Sequence, residues 1–332
     1  MKLPYRWFCW VGFFLWFVVF PAGLPAELIR TVVPQSSLNY LSVYVAESKG
    51  FFSQEGLENQ TLVLAGPVAA AALVGGSVDY GGGGGSAMRA AAAGGAPVKA
   101  IFFQTETVTF YLVTDPSIVK PADLKGKKIG VGGIGSSQDR IILKYIEQAG
   151  LSSGDITRIA MGADAGRRIL AIKTGSIHAT LLDPGTLSFA EQEGLNILAF
   201  MGDLFPFPFQ VFATTDRKLK ENPEQVKRWL RAMANALMFI RDRPEEAAEV
   251  GIKRLRVGNI TKAALLEGIK RYTRALASGV PGLPSNEGIK NVIEYEVKLP
   301  LKIEREIAPE SLMNLKLMEQ VKTELENRRT PR

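Results

Sequence analysis

Two segments of the chain carry the same landmarks in the same order, about 100 residues apart. The four pairs are Ser36-Ser37 and Ser136-Ser137, Gly50 and Gly150, Gly76-Ser77-Val78 and Gly175-Ser176-Ile177, and Gly95 and Gly194. A glycine that ends a helix is common by itself, and a generic strand-helix rhythm can mimic part of such agreement. Four landmarks in one order nevertheless predict two lobes of similar build.

Strands and helices alternate in both segments, which is typical of an α/β protein with mostly parallel sheets. The predicted strands are 29–34, 61–64, 98–103, 128–131, 156–161, 179–182 and 196–200. Two further β-rich runs, 110–115 and 209–216, are predicted to connect the lobes and to form a two-strand hinge. Beyond the second run the sequence predicts helices at 223–241 and 261–277, a Pro/Gly-rich stretch at 281–288 and a final helix from Pro309. The predicted division is a discontinuous first lobe, 27–112 and 213–332, and a second lobe, 113–212.

The hinge predicts a cleft, and the carboxyl ends of the parallel strands predict its lining. The predicted ligand-binding residues are Ser36, Ser37, Tyr40, Gly84, Gly85, Ser86, Thr105, Glu106, Thr107, Gly135, Ser136, Ser137 and Asp183. Helix N-termini at this edge offer free N–H groups to an anion. The serines are open to a second interpretation as helix N-caps, Thr105 to Thr107 as a solvated loop, and Asp183 as a turn residue before Pro184. Glu106 suits an amine on the ligand and opposes a bare anion.

Residues 130–135 read GVGGIG, which fits the spacing of a dinucleotide-binding turn. Such a turn needs an acid about 20 residues on, at the end of the next strand. Asp155 has that separation but precedes its strand, at the wrong end. We therefore interpret the glycines as part of the cleft and predict no cofactor.

The N-terminus has the pattern of a secretory signal peptide, residues 1–26. Lys2 and Arg6 precede an apolar run from Trp7 to Phe20. As a helix this run spans roughly 21 Å, short of the roughly 30 Å of a bilayer core, which favours a cleaved signal over an anchor. We expect a periplasmic or secreted protein.

Export and composition together exclude several classes of site. Cys9, the only cysteine, lies inside the apolar run, so the mature chain is expected to lack thiol chemistry and disulfides. One histidine, His178, makes a zinc or copper site improbable, and no metal site is predicted. The net charge of +7 comes from scattered Lys and Arg residues without a basic stripe, so no nucleic-acid partner is predicted.

The charged residues outside the predicted cleft are interpreted as surface groups. For Arg89 and Arg140 the alternative interpretation is that they bind a carboxylate or sulfonate of the ligand. Arg167 and Arg168 are predicted to face water. A Ser136, His178 and Asp183 triad is rejected because the chain has no GxSxG elbow and His178 is predicted at the strand end opposite the cleft. No catalytic residue is predicted. The FPFPF run at 205–209 is either an aromatic wall of the pocket or packing near the hinge.

Several segments resemble the periplasmic solute-binding proteins of ABC importers, in the nitrate/sulfonate/taurine group that includes binders of thiamine-pyrimidine precursors. They are ESKGFFSQEGL (47–57), GGSVDYGGGGGSA (75–87), DLKGKKIGVGGIGSS (123–137), ILAIKTGSIHATLLDP (169–184), NPEQVKRWLRAMANAL (222–237) and APESLMNLKLMEQ (308–320). The resemblance implies a type II periplasmic binding fold of two doubly wound lobes and no catalysis. The sequence departs from the group at His178 and Asn314, where an acid is frequent, and in the glycine run 81–85, so ligand identity is not transferred.

The resulting hypothesis is a monomeric receptor that captures a small organic solute, anionic or zwitterionic, and presents it to an ABC permease. A sulfonate, a carboxylate and a pyrimidine-like compound are the ligand classes considered. Two alternatives stay open. One is an enzyme similar to a pyrimidine-precursor synthase, which a cleft-facing His178 would favour, and the other is a sensor-linked binding protein.

Overall fold

The structure is a computed structural model that describes residues 26–64, 66–162, 164–204, 206–255 and 260–329. The predicted signal peptide lies outside these ranges, apart from its last residue, Ala26.

Ten strands form two five-stranded sheets. They are β1 (Glu27–Val33), β2 (Leu57–Val63), β3 (Tyr80–Gly82), β4 (Val98–Thr105), β5 (Tyr111–Thr114), β6 (Lys128–Val131), β7 (Thr157–Ala160), β8 (Ala179–Leu182), β9 (Asn196–Phe200) and β10 (Phe209–Thr215). The first sheet has the order β2-β1-β3-β10-β4 and the second the order β7-β6-β8-β5-β9. The two-lobed α/β architecture predicted from the repeated landmarks is confirmed.

Each sheet contains one strand that runs against its neighbours. β1 pairs in parallel with β2 and β3, and β6 pairs in parallel with β7 and β8. β10 is antiparallel to β3 and β4, and β5 is antiparallel to β8 and β9. These two strands are the runs that the sequence placed at the hinge. Each is the first strand of its sheet after the chain has crossed from the other sheet.

The crossings themselves are the segments 106–110 and 201–208, between β4 and β5 and between β9 and β10. Sheet membership places Tyr111 and Leu112 in the second sheet and the start of β10 in the first. We propose that the lobe boundaries fall within these two crossings. The first lobe is then built on the first sheet with the C-terminal helices, and the second lobe on the second sheet.

Fifteen α-helices surround the sheets within the described ranges. They are α1 (Leu41–Ser48), α2 (Phe51–Gln54), α3 (Gly66–Val74), α4 (Gly84–Gly94), α5 (Ser137–Gln148), α6 (Ala165–Lys173), α7 (Leu187–Gln192), α8 (Asp216–Glu221), α9 (Pro223–Asp242), α10 (Pro244–Arg254), α11 (Lys262–Thr273), α12 (Asn286–Val292), α13 (Leu299–Leu301), α14 (Pro309–Leu312) and α15 (Lys316–Arg329). A π-helical segment, Ile293–Lys298, joins α12 to α13. None of the described helices is both long enough and apolar enough to cross a bilayer.

The duplicated glycines share one backbone conformation. Gly50 and Gly150 have φ angles of 74° and 75°, and Gly95 and Gly194 have φ angles of 65° and 74°. This left-handed region suits glycine because a Cβ is strained there. The serine pairs differ, since Ser136 caps α5 with its side chain whereas Ser37 makes no side-chain cap. The repeat therefore reflects matched helix ends more than matched side-chain contacts.

The core of the first lobe is centred on α9. Trp229 is fully buried, stacks on Tyr80 at 4.4 Å between ring centroids, and donates from Nε1 to Thr31 Oγ1 at 3.1 Å. α9 begins with Pro223, which suits the first helical position. A second apolar cluster includes Met88 of α4, Ile141 of α5 and residues of the π-helical segment. It therefore joins the two lobes along one side of the crossing segments.

Three helical features differ from the sequence pattern. The pattern did not predict α10, and it placed only a Pro/Gly-rich stretch at 281–288, within which α12 begins because Ser285 Oγ accepts from the Gly288 N–H. The final helix, predicted from Pro309, is divided into α14 and α15. The division follows from Asn314, whose N–H donates to the Ala100 carbonyl at 2.9 Å.

Candidate functional site

A cavity of about 400 Å³ lies between the lobes, at the carboxyl ends of the strands; we call it the main cavity. Its lining comes from the loops after β1, β6 and β8, from α5 and α6, from the first crossing and from the start of β10. The lining residues include Gln35, Asn39, Tyr40, Phe110, Gly132, Ser136, Ser137, Gln138, Arg168, Asp183, Phe209 and Gln210. A cavity of this size accommodates a small organic molecule.

A smaller cavity of about 190 Å³ adjoins the main cavity, and we call it the side cavity. Tyr40, Ser137, Phe209 and Gln210 line both. The rest of its wall comes mostly from the N-terminal turns of α4, from the end of α12 and from the π-helical segment after it, and includes Gly84, Gly85, Ser86, Arg89, Val292 and Glu296. The two cavities are thus compartments of one cleft.

The structure brings seven of the predicted binding residues into this lining. Tyr40, Gly84, Gly85, Ser86, Ser136, Ser137 and Asp183 line one or both cavities. They come from both lobes and from four separate strand-to-helix connections. The strand topology was sufficient to bring them together, because the carboxyl ends of parallel strands share an edge.

The other predicted residues lie outside the lining of both cavities. Ser37 Oγ accepts from Gln35 Nε2 at 3.2 Å, and the Thr105 hydroxyl bonds the backbone of Phe209. Glu106 is exposed, and its backbone N–H donates to the Ala275 carbonyl. The remaining three are Ser36, Thr107 and Gly135. A direct role for these six in binding stays a prediction.

The first turn of α5 is the best-defined polar part of the cleft. Ser136 Oγ caps the helix by accepting from the Asp139 N–H at 3.3 Å. The Ser137 hydroxyl donates to a carboxylate oxygen of Glu296, across the cleft. Gln138 Oε1 accepts from the Gly132 N–H at 3.1 Å and from Arg168 Nη1 at 2.9 Å. Three consecutive residues therefore organise one wall of the site.

Arg168 lies in the cavity wall, so the prediction that it faces water is wrong. It is 4% exposed, and Nη1 also donates to the Leu181 carbonyl at 3.0 Å. Burial lowers the pKa of Arg168, and the nearby carboxylate of Asp183 raises it. An arginine remains charged under such a shift because its ordinary pKa is above 12. The main cavity therefore has a fixed cationic group in its wall.

Asp183 follows β8 and supplies the opposite charge. Its Oδ1 accepts from the Gly185 N–H at 2.9 Å. Burial raises the pKa of Asp183, while that hydrogen bond and Arg168 lower it. His178 precedes β8, at the other end of the strand, and its Nδ1 accepts from the Lys128 N–H at 3.1 Å. The predicted position of His178, away from the cleft, is confirmed, and a triad of Ser136, His178 and Asp183 is not assembled.

Two glycines of the run 81–85 pack closely against other elements at the cleft. A Cβ on Gly84 would lie 2.7 Å from Val211 Cγ1, and a Cβ on Gly85 would lie 2.9 Å from Glu296 Oε2. Both distances are shorter than ordinary contacts between carbon and its neighbours. The glycines therefore let the N-terminus of α4 approach β10 and the helical segment after α12.

Gln210, at the start of β10, has an unusual backbone conformation and lines both cavities. Its φ is 50°, in the left-handed region that glutamine rarely occupies. Its Nε2 donates to Thr109 Oγ1 at 3.2 Å, and the Thr109 hydroxyl contacts Asn39 Oδ1 at 3.4 Å. This buried chain of hydrogen bonds links the start of β10 and the first crossing to Asn39 in the wall of the main cavity. Strained residues of this kind are concentrated at functional sites.

The comparison with protein families decides the family. A family model described as "NMT1/THI5 like" matches residues 37–247, which include most of the cleft. The chain belongs to the NMT1/THI5-like family.

Relatives and solved structures are similar over most of the chain. A protein of Brucella abortus (strain 2308) named "Putative binding protein" is 31% identical over 221 residues, covering 64% of this chain and 67% of the relative. The 4-amino-5-hydroxymethyl-2-methylpyrimidine phosphate synthase of Saccharomyces cerevisiae is 28% identical over 225 residues, covering 63% of this chain and 65% of the yeast protein. The periplasmic aliphatic sulphonate binding protein of Escherichia coli has a similar fold, with a TM-score of 0.69 and 19% identity over 87% of this chain and 92% of that chain.

In this NMT1/THI5-like chain, sequence reasoning missed Gln138, Arg168, Gln210 and Glu296. Gln138 follows directly after the predicted serines, so its place on the first turn of α5 was a usable signal. Glu296 gave no signal, because it lies in a helix that the pattern did not predict. Of the FPFPF run, Phe209 lines both cavities whereas Phe207 is buried against Tyr295. Phe209 thus contributes to the pocket wall and Phe207 to packing, and Phe205 lies outside the described residues.

Proposed function

We propose that this chain is the solute-binding component of an ABC importer, exported by its N-terminal signal and active as a monomer. It captures one small organic solute in the cleft and presents the closed form to a membrane permease. The observation that carries the proposal is the cleft itself, a cavity of about 400 Å³ between two lobes, which the described part of the chain connects by two crossings. The similar fold of a periplasmic sulphonate-binding protein supports it.

The ligand class follows from the charges in the lining. Arg168 and Asp183 lie in the main cavity, and Arg89 and Glu296 lie in the side cavity. An acidic group of the solute is stabilised by Arg168. A cationic or amino group is stabilised by Asp183. We therefore propose a zwitterionic or anionic organic solute, such as an amino-substituted sulfonate or carboxylate, rather than an inorganic anion.

An enzyme is the second candidate, because a yeast relative is named as a pyrimidine phosphate synthase. A histidine consumed as a reactant would have to face the cleft, yet His178 precedes β8 and lies outside the lining of both cavities. The position of His178 favours binding over catalysis. A receptor linked to a sensor instead of an importer uses the same cleft.

The proposal is tested by titrating the purified protein with aliphatic sulfonates, carboxylates, their amino-substituted counterparts and aminopyrimidines in a calorimeter. We expect one-to-one binding by a member of these classes, with a raised midpoint of thermal unfolding. The compound recovered unchanged after long incubation supports a receptor, whereas its conversion supports the enzyme. Absence of binding across all the classes contradicts the proposal.

A further inference from the structure

One carboxylate of the first lobe contacts the second lobe directly. Glu296 lies in the π-helical segment 293–298, and its side chain is 12% exposed. One of its oxygens accepts from Arg89 Nη1 at 2.9 Å, and the other accepts from the Ser137 hydroxyl. Arg89 belongs to α4 and also donates to the Ser86 hydroxyl at 3.1 Å. Glu296 is thus held by its own lobe and reaches the first turn of α5 in the other.

A neighbouring contact fixes the same pair of elements. Arg140, one turn into α5, donates from Nη1 to the Tyr295 carbonyl at 2.6 Å. Two consecutive residues of the π-helical segment are therefore bound by α5, one through its side chain and one through its backbone. A π-helical turn inside an α-helix is frequent at functional sites, because it changes the direction of the side chains that follow.

The local electrostatics favour a carboxylate at this position. Ser137 is the first residue of α5, where unpaired N–H groups and the helix dipole stabilise negative charge. Gly85 leaves room for the carboxylate, since a Cβ there would lie 2.9 Å from Glu296 Oε2. The contact with Ser137 joins groups on different lobes, so it exists only while the cleft is closed. The contact with Arg89 lies within the first lobe and persists on opening.

We propose that Glu296 is a built-in clasp between the lobes. Its carboxylate occupies the N-terminal turn of α5 in place of a ligand's acidic group and stabilises the closed form before any solute is bound. Its charge also disfavours an acidic group of the solute in the side cavity, which leaves Arg168 as the position for that group. The clasp goes beyond the proposed transport function, because closure without solute is a property of the chain alone.

The test measures closure in the absence of solute. Cys9, the only cysteine, is changed to serine, and donor and acceptor dyes are attached at V63C in the first lobe and V119C in the second, two positions that are 52% and 68% exposed. In single-molecule energy transfer we expect a closed population in the parent protein. We expect E296Q and S137A each to lower the ratio of closed to open molecules about tenfold, the effect of losing one hydrogen bond to a charged group.

The matched control is E294Q. Glu294 lies in the same π-helical segment but pairs with Lys298, within its own lobe. We expect its closed-to-open ratio to equal that of the parent. A parent protein that is fully open without solute overturns the proposal, as does an unchanged ratio in both E296Q and S137A. A lowered unfolding temperature with an unchanged ratio identifies Glu296 as a packing residue only. Since no solute is present, the result is independent of the binding experiments above.

Discussion

Burial of a guanidinium costs free energy because the group loses its hydration. It is therefore expected where hydrogen bonds or an opposite charge compensate for that loss. Arg168 is in this position, with hydrogen bonds to Gln138 and Leu181 and a place in the wall of the main cavity. The arginine before it, Arg167, is exposed on the same helix. A comparison of variants at Arg168 and Arg167 therefore distinguishes a role in the cleft from the general effect of a positive charge on α6.

We expect R168Q to weaken binding of the solute identified by titration about tenfold to a hundredfold, since a charged hydrogen bond contributes about 1.5–3 kcal/mol. We expect R167Q to leave the affinity unchanged. Calorimetric titration of both variants with the same solute is the measurement. Equal losses of affinity in R167Q and R168Q, or no loss in R168Q, contradict the assignment of Arg168 to the solute's acidic group.

Asp183 predicts a pH dependence of stability. Burial raises its pKa above the ordinary value of 3.8, so the folded state binds the proton more tightly than the unfolded state does. The stabilisation from this proton is complete below pH 3.8 and is lost as the pH rises through the raised pKa. D183N has no such proton, and its amide oxygen can still accept from the Gly185 N–H.

The free energy of unfolding of the D183N variant should therefore increase relative to that of the parent as the pH rises from below 3.8. Urea unfolding at a series of pH values measures this difference. A difference that stays constant with pH would show that the carboxyl group has the same proton affinity in the folded and unfolded chain.

Helix α4 is closely packed at its N-terminus, whereas its C-terminus has space for an added methyl group. A Cβ on Gly84 would meet Val211 at 2.7 Å, whereas a Cβ on Gly94 would have no atom within 4 Å. We expect G84A to lower the free energy of unfolding by about 1–3 kcal/mol, the cost of overpacking. We expect G94A to raise it by up to about 1 kcal/mol, from helix propensity. Chemical denaturation measures the free energy of unfolding of both variants. A stabilised G84A would show that β10 moves to accommodate the added methyl group with little loss of packing.

The strands were the elements that the sequence predicted best. β6, β8 and β9 have the predicted bounds, because short apolar runs between glycine-rich turns leave few alternatives. α10 and the helical segment from Asn286 to Leu301 were missed. The second of these contains a π-helical turn and Pro300, and its apolar residues Val292, Ile293 and Val297 pack into a cluster that both lobes share. Its stability thus depends on tertiary contacts that no local pattern records.

The residues of the site likewise divide into those that a local pattern predicts and those that depend on tertiary contacts. Residues that follow a strand, such as Ser136 and Asp183, were predictable from topology. Arg168 and Glu296 enter the cleft from the body of a helix and from a missed helix, and their partners are 30 and 159 residues away in sequence. The first contact depends on how α5 and α6 pack within the second lobe, and the second depends on how the lobes pack against each other, so the chemistry of the cleft required the structure.

The two lobes also meet at a second contact, which does not involve Glu296. There α11 packs against Pro184, and Arg271 forms an ion pair with Glu191 at 2.5 Å. Gly268 of α11 lies at this contact, since a Cβ there would lie 2.8 Å from the Pro184 carbonyl oxygen. Closure therefore requires a residue without a side chain at this position.

The variant G268A should hold the lobes apart without damaging either one. Alanine favours the helix locally, so we expect thermal stability to be kept or raised, as in the control G94A, where the added methyl group meets nothing. The methyl group of Ala at position 268 disfavours the closed form, and the apparent affinity for the solute falls in proportion to the closed fraction. We expect a weaker affinity and a larger radius of gyration at saturating solute for G268A alone, measured by calorimetry and small-angle scattering. If G268A binds as tightly as G94A and is equally compact, full closure of the lobes is not what holds the solute, and the proposed mechanism of capture has to be abandoned.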